Sequence, residues 1–506
     1  MNTQTLFGNS TKGGWAGRHA VVVGGSMGGL LAARVLADHF ERVTVVDRDR
    51  FPEEPDHRKG VPQSRHAHAL LERGQRIISR LFPGIADDLR AEGALVAGGA
   101  ALVIVSPAGK LPLGEANGED TGAKGFFASR FLLEWHVRRR LAGHEGVSFL
   151  TDREVVGLTA GGDNGRVTGI RLRRRGGDEG SELLGADLVV DASGRHSKAP
   201  RWLVDLGYQA PEEETINSGL GYASRFYEKP ADWPAGWEGI IVNGRPPDNP
   251  RAGVILPIEN DKWHVTVGGF AGNYPPTDEE GFLEWARQLP DPSIYEAIRV
   301  AEPITPIRGY RTPQNRLRHF ERLGRWPEGF IVTGDAVSAF NPIYGQGMTV
   351  AAMDAELLKE SLGRQRRSPR PGFERRFQKE LAKVVAAPWL ISSGEDLRWG
   401  VESTGAKSAL STEFTHRYMD LVLRRARKDA VVARTYMNVV NMVEPPRSLF
   451  GPKVLPRVLW EATKQIGAAL GKRASDPEEE LALSPEAISR LRARPAARSE
   501  AQHALG

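Results

Sequence analysis

The sequence contains no cysteine among its 506 residues. That absence excludes disulfide frameworks, thiolate zinc sites, thiol nucleophiles and CxxC redox centres, so redox chemistry would need a bound cofactor. Also missing is any apolar run approaching the roughly 18 to 20 residues of a membrane span. Met1–Trp15 is polar rather than basic and then apolar, as a signal peptide would be, and the expected compartment is the cytoplasm. Neither sign of charge dominates, since 68 Lys and Arg against 63 Asp and Glu leave a net +5. With 40% hydrophobic and 26% charged residues, and 57 Gly and 33 Pro spread along the chain, collagen, coiled coil and extensive disorder are excluded. The length suggests about three domains.

The charge is uneven. From Ser361 onward 26 Lys and Arg face 16 Asp and Glu, which leaves the first 360 residues at −5. The clusters Arg364, Arg366, Arg367, Arg370, Arg375, Arg376 and Arg424, Arg425, Arg427, Lys428 read as solvated helix faces. Acidic residues and apolar helical positions interleave with them, and no nucleic-acid motif is present, so no nucleic-acid partner is expected.

The apolar run His19–Val23 leads into Gly24-Gly-Ser-Met-Gly-Gly29, followed by a helical pattern over 30–39. A second strand, Val43–Val46, ends at Asp47, 23 residues after Gly24. This order predicts a dinucleotide-binding βαβ unit. Gly24 permits a turn that a side chain would block, and the helix start offers free N–H groups to a pyrophosphate. Gly29 lets helix and strand pack closely, and Asp47 would accept ribose hydroxyls. Ser26 stands where the middle glycine of GxGxxG is expected.

Two further strands, Ala186–Asp191 and Gly329–Thr333, each end in a small-residue turn, at Ser193-Gly194-Arg195 and Gly334-Asp335. After the latter come Pro342, Gly345, Gly347 and Met348, then a helix over 349–362 whose start would again face negative charge. Segments 219–225, 239–242, 253–257 and 262–268 predict an antiparallel sheet that covers substrate. From about Gly372 the pattern is helical, most clearly over 382–390, 414–426 and 454–470.

The glycine turn with Asp47, the Asp191–Arg195 turn, and Gly334-Asp335 followed by Pro342 and Gly347 resemble the single-component flavin monooxygenases of the para-hydroxybenzoate hydroxylase type. The stretches Arg58–His68, Leu256–Asn260 and Phe340–Met348 are similar to the flavin epoxidases of polyether antibiotic biosynthesis. The resemblance implies an α/β fold with a Rossmann-type FAD-binding domain assembled from residues 18–72, 146–200 and 313–365. It further implies a middle segment, 73–145, shared between substrate domain and FAD contacts, and an antiparallel β substrate domain over 201–312. A helical C-terminal region, 366–471, and a flexible tail, 472–506, complete the expectation.

Carried over position by position, Gly24, Ser26, Met27, Gly29, Asp47 and Arg48 would hold the ADP half of FAD, with Val155 at the adenine. Arg130 would reach the pyrophosphate and ribityl region, and Asp335 the ribityl hydroxyls. Pro342, Gly345, Gly347 and Met348 would line the isoalloxazine, with Gln63 and its neighbours Arg65 and His66 as looser candidates for touching the ring. The implied activity is transfer of one oxygen atom from O2, through a flavin C4a-hydroperoxide, to a hydrophobic polyketide- or terpenoid-like metabolite by epoxidation or hydroxylation. An FAD-dependent dehydrogenase or reductase is the alternative, and a non-catalytic flavin- or nucleic-acid-binding protein a lesser one. The family's Asp-Gly turn reads Ser193-Gly194 here, and only one dinucleotide unit is visible. Electrons would therefore come from NAD(P)H bound transiently, or from reduced flavin of a partner reductase.

No side chain stands out as a general base, and no catalytic residue is assigned. His57, His66 and His68 read as hydrogen-bonded loop residues rather than metal ligands. Asp191 either caps its turn or touches FAD, and Arg130 has Glu134 one turn on as a competing partner. Phe126, Phe127, Phe131, Leu132 and Trp135 would pack a helix on the sheet. Trp389, Trp399 and Trp460 read as core, and the 454–470 segment as packing over the pocket rather than lying on a membrane.

Overall fold

The computed structural model describes residues 16–97, 102–111, 125–176, 180–233, 237–311, 314–401, 403–404 and 409–464. The chain divides into two compact units after Leu455. Five parallel strands form the first sheet, in the order Phe330–Val332, Leu188–Asp191, Gly17–Val23, Phe40–Val46, Val147–Leu150. Val21, Val22, Val45, Leu188, Val189, Val190 and Ile331 are fully buried. A parallel strand covered on both faces must be apolar at consecutive positions, which explains the unbroken run after His19. The chain's first strand lies in the middle, so connections leave it in opposite directions and open a crevice at the strands' carboxyl ends. The Met27–Leu36 helix packs between this sheet and the Gly347–Arg367 helix. Gly28 and Ala351 face each other there, with room for a β-carbon at Gly28 to sit 3.8 Å from that of Ala351.

The second large sheet has seven strands: Arg308–Arg311, Gly221–Glu228, Lys262–Gly269, Arg251–Ile258, Gly239–Val242, Leu102–Ser106 and Gly109–Lys110. It departs from the all-antiparallel expectation at one pair, because Leu102–Ser106 runs parallel to Gly239–Val242. Hairpins force their neighbours antiparallel; this strand arrives from a distant segment and carries no such constraint.

Alternation gives the sheet two faces. Trp263, Val265 and Val267 are fully buried with Ala223 and Tyr227 in a core that helices Glu279–Arg287 and Ser293–Ile298 complete. Their neighbours His264, Thr266, Tyr222, Ser224 and Phe226 turn the opposite way and meet the segment from His57 to Ala67 or the Asn341 loop.

The expected 382–390 and 414–426 helices fall inside Phe373–Leu397 and Ala409–Ala426. The former packs on the Gly347–Arg367 helix and on the Phe330–Val332 strand. There Gln378 donates to the Val332 carbonyl at 3.0 Å and Glu374 accepts the Gly329 N–H at 2.7 Å. Trp389 is buried and Trp399 stacks on Phe270 at 4.7 Å. Trp460 was expected in the core and is not: it is 58% exposed, on a helix face it shares with Lys464, whose ammonium lies 5.7 Å from its ring. Residues 465–470 of the predicted last helix, and the tail from 472, lie outside the described residues. No helix among the described residues is long and apolar enough to cross a membrane.

Candidate functional site

The carboxyl ends of the parallel strands open into one cleft. At its floor Gly24 has φ +101°, and a β-carbon there would meet the Ala192 carbonyl oxygen at 2.5 Å. Only glycine meets both conditions. Asp47 closes the turn: its Oδ2 accepts the Gly25 N–H at 2.6 Å and its Oδ1 the Asp49 N–H at 2.8 Å. Gly29 stands behind the cleft wall, where a β-carbon would fall 1.8 Å from the Gly24 carbonyl. Its place is between helix and turn, away from the lining.

Beneath the turn lies a buried ionic network. Arg58 donates to Glu134 from Nε at 2.9 Å and to the Gly25 carbonyl at 3.2 Å, with Asp47 3.5 Å and Asp49 3.8 Å from its Nη1. Glu134 also accepts from Ser26 Oγ at 3.0 Å and Arg130 Nη2 at 3.0 Å, while Arg130 donates to Ser26 Oγ at 2.8 Å. Burial pushes the Glu134 carboxyl up, but Arg130 and Arg58 outweigh it and hold the pKa below the usual range. The serine at the middle position of the fingerprint is thus engaged as both donor and acceptor. Arg130 pairs with Glu134, the competing partner one turn on, and also lines the cleft; its Nε is buried without a protein partner.

The next turn is held from below. Asp354, on the Gly347–Arg367 helix, accepts Thr333 Oγ1 at 3.1 Å and the Gly334 N–H at 2.9 Å, and burial raises its pKa to about 7. This leaves Asp335 facing the cleft; burial pushes its carboxyl up, against the pull of Arg195 and Arg130. Asp191 caps its own turn, accepting the Ser193 N–H at 2.9 Å and Ser197 Oγ at 2.6 Å with none of its surface exposed. Arg195 lines the cleft while donating to the Gln314 and Phe340 carbonyls at 2.6 and 3.1 Å.

The far end is formed by Phe340, Pro342, Gly345, Gly347 and Met348. Its loop rests on Asp396 of the Phe373–Leu397 helix. That fully buried carboxyl accepts Tyr344 O–H at 2.7 Å and Asn341 Nδ2 at 3.2 Å, together with Asn315 Nδ2, and burial raises its pKa to about 7. Tyr222 in turn donates to Asn341 Oδ1 at 3.0 Å. Glu259, in the hairpin after Arg251–Ile258, accepts the Ser129 N–H at 2.8 Å, and Ser129 Oγ caps the Arg130–Ala142 helix through the Leu132 N–H.

Of the fourteen residues singled out from the sequence, the structure brings all but Gly29 onto the lining of this cleft. The looser pair, Arg65 and His66, is not among the lining residues. His66 bonds Ser224 Oγ at 2.7 Å and the Arg65 carbonyl lies 3.1 Å from His264 Nε2, so both are committed to the sheet. His68 takes their place. The histidines are hydrogen-bonded within the loop, His57 to Ser64 at 2.9 Å and His68 to the His66 carbonyl at 2.7 Å. Arg58, His68, Glu134, Glu259, Asp354 and Asp396 were not anticipated as parts of the site. Arg58 and His68 at least lay within a quoted motif, and Glu134 one helical turn from Arg130.

The residues present fit a long anionic dinucleotide. Seven arginines and lysines line the cleft against four carboxylates, and a glycine turn opens onto a helix start at each end. Arg130, whose Nε is buried without a hydrogen-bond partner, is one of these lining cations. Fold and site therefore define a dinucleotide-binding α/β protein. The chain belongs to the family described as FAD binding domain, whose signature matches residues 18–367. A relative, Protein Rv3254 of Mycobacterium tuberculosis, is 33% identical over 383 residues, covering 75% of this chain and 80% of that protein. Among solved structures, the flavin-dependent brominase Bmp2 matches with TM-score 0.61 at 14% identity, over 88% of this chain and 99% of its own. The p-nitrophenol 4-monooxygenase PnpA from Pseudomonas putida matches with TM-score 0.55 at 18% identity, over 84% and 98%. At these identities the two structures share the fold.

Proposed function

We propose that this protein is an FAD-dependent monooxygenase that places one oxygen atom of O2 on a hydrophobic small molecule of secondary metabolism, by epoxidation or hydroxylation. The observation that carries the reading is the composition of the cleft. One end presents the Gly24 turn, Asp47 and a surplus of cations suited to an ADP group. The other ends in Phe340, Pro342 and Met348 at the start of the Gly347–Arg367 helix.

When bound and reduced, FAD would supply the redox chemistry the chain lacks: the two electrons that bring O2 to the peroxide level, from which one oxygen atom could pass to substrate and the other leave as water. The chain's own part is to bind, orient and exclude water. Asp47 and Arg48 hold the adenosine end with Val155, and Arg130 meets the pyrophosphate. Asp335 accepts ribityl hydroxyls. The first N–H groups of the Gly347–Arg367 helix, with its dipole, stabilise negative charge on the reduced ring by about 0.3 to 2 kcal/mol. An electron-rich alkene would need no protein nucleophile to take oxygen from such a donor, and the chain's contribution would be to position it. The brominase and the nitrophenol monooxygenase both run flavin-dependent chemistry on this fold, which supports the reading. Electrons reach the flavin from NAD(P)H bound transiently or from a partner reductase.

The test is product mass analysis with labelled dioxygen over a panel of polyene and aromatic metabolites. A product heavier by one labelled oxygen is expected. A product oxidised without label would make the protein an FAD-dependent dehydrogenase instead.

A further inference from the structure

We infer that His68 is the residue that accepts a hydrogen bond from the imide N–H of the bound isoalloxazine. The inference rests on the reading of the cleft as an FAD site. Oxidised isoalloxazine carries a single ring N–H, at N3, among several acceptor atoms. The helix start at Gly347 and Met348 offers donors for the acceptors, and the lone N–H needs an acceptor of its own.

The geometry singles out His68. Its Nδ1 lies 2.7 Å from the His66 carbonyl oxygen, which can only accept, so Nδ1 carries the proton. A neutral ring in that tautomer leaves Nε2 as a bare acceptor, and His68 lines the cleft. The ring stays neutral because burial, reinforced by nearby Arg130, lowers its pKa to about 3. It therefore has no second proton to give near neutral pH.

The segment that carries it is pinned at both ends. Ala67 N–H donates to Thr266 Oγ1 of the substrate sheet at 3.0 Å, and Leu71 N–H donates to Thr349 Oγ1, in the first turn of the Gly347–Arg367 helix, at 3.1 Å. Between these anchors Ala69 packs against Gly345, where a β-carbon would come within 3.0 Å of the Ala69 β-carbon. Gly345 has φ +63°, a conformation suited to glycine, so the loop at the ring end and the His68 segment are fitted to each other. An acceptor held this firmly loses little freedom on binding.

The experiment compares wild type, His68→Phe and His68→Gln, measuring FAD affinity by fluorescence and the alkaline ionisation of the bound imide by absorbance. Loss of an acceptor should weaken FAD binding about 2- to 10-fold in His68→Phe and shift imide ionisation to lower pH. Gln, whose amide oxygen can stand in for Nε2, should restore both. Weaker binding in His68→Phe with imide ionisation unmoved, or unchanged behaviour in both readouts, overturns the assignment. A wild-type protein that takes up no FAD would instead overturn the reading of the cleft, so the two failures are distinguishable.

Discussion

Glu259 of the substrate sheet accepts the backbone N–H of Ser129 at 2.8 Å, and Ser129 is the cap of the helix on which Arg130 is the first residue. The pairing spans 130 positions in sequence. The seven-stranded sheet thereby fixes the start of the helix that carries Arg130, a residue of the cleft lining. Glu259→Ala is expected to cost about 1 to 3 kcal/mol, and to weaken FAD binding more than Glu259→Gln does. Equal FAD dissociation constants for both variants and wild type would show that the cap holds without it.

Asp335 faces the cleft while Asp354 holds its turn, so the two carboxylates should respond differently to neutralisation. Asp335→Ala is expected to purify with sharply reduced flavin, read as the ratio of absorbance near 450 nm to that of protein, at nearly unchanged thermal stability. Normal flavin content would remove Asp335 from the site.

Asp354 gives a pH dependence with a defined sign. Its folded pKa, about 7, lies above the 3.8 of an ordinary aspartate. Between those values the unfolded chain has lost a proton that the folded protein keeps, so this group's contribution to stability declines as pH rises through that window and levels off above it. Asp354→Asn keeps an acceptor for Thr333 and Gly334 but cannot ionise. Its urea midpoint relative to wild type is expected to improve from pH 5 to about pH 7 and to level off above that, and parallel profiles would refute the shift. Asp396, also raised to about 7, adds to the wild-type slope in the same direction.

Gly24→Ala introduces a β-carbon 2.5 Å from a backbone oxygen at a φ of +101°. Strain of about 1 to 3 kcal/mol, and loss of FAD binding, are expected. Ser26→Gly tests the neighbouring position: it restores the usual fingerprint but removes a contact of both Arg130 and Glu134. FAD affinity should fall rather than rise, and a gain would mean that the serine merely obstructs the turn.

What the sequence made legible was local. Gly24, Asp47 and the His19–Val23 run lie within about thirty residues, and strand, turn and helix each impose their own residue types, so the dinucleotide unit and most of its lining could be read directly. The Gly334-Asp335 turn and Gly345–Met348 were legible for the same reason. Glu259 and Asp396 were not, because each acts on a turn or cap far along the chain, and Asp354 was not, because a buried carboxylate inside a helix has no periodicity to betray it. That His68 lies on the cleft lining while Arg65 and His66 lie off it was not legible, because the course of the pinned loop depends on anchors at Thr266 and Thr349, which only the folded sheet and helix provide.

Asp396 also bears on how far the functional protein extends. The region shared with the family ends at residue 367, yet the carboxyl beneath Asn341 and Tyr344 is delivered by a helix that begins at Phe373. A fragment excised at the family boundary would retain every glycine of the fingerprint and still strand the amide and phenol of its innermost loop. The helical extension thus supports the loop at the cleft's end from behind rather than standing apart from it.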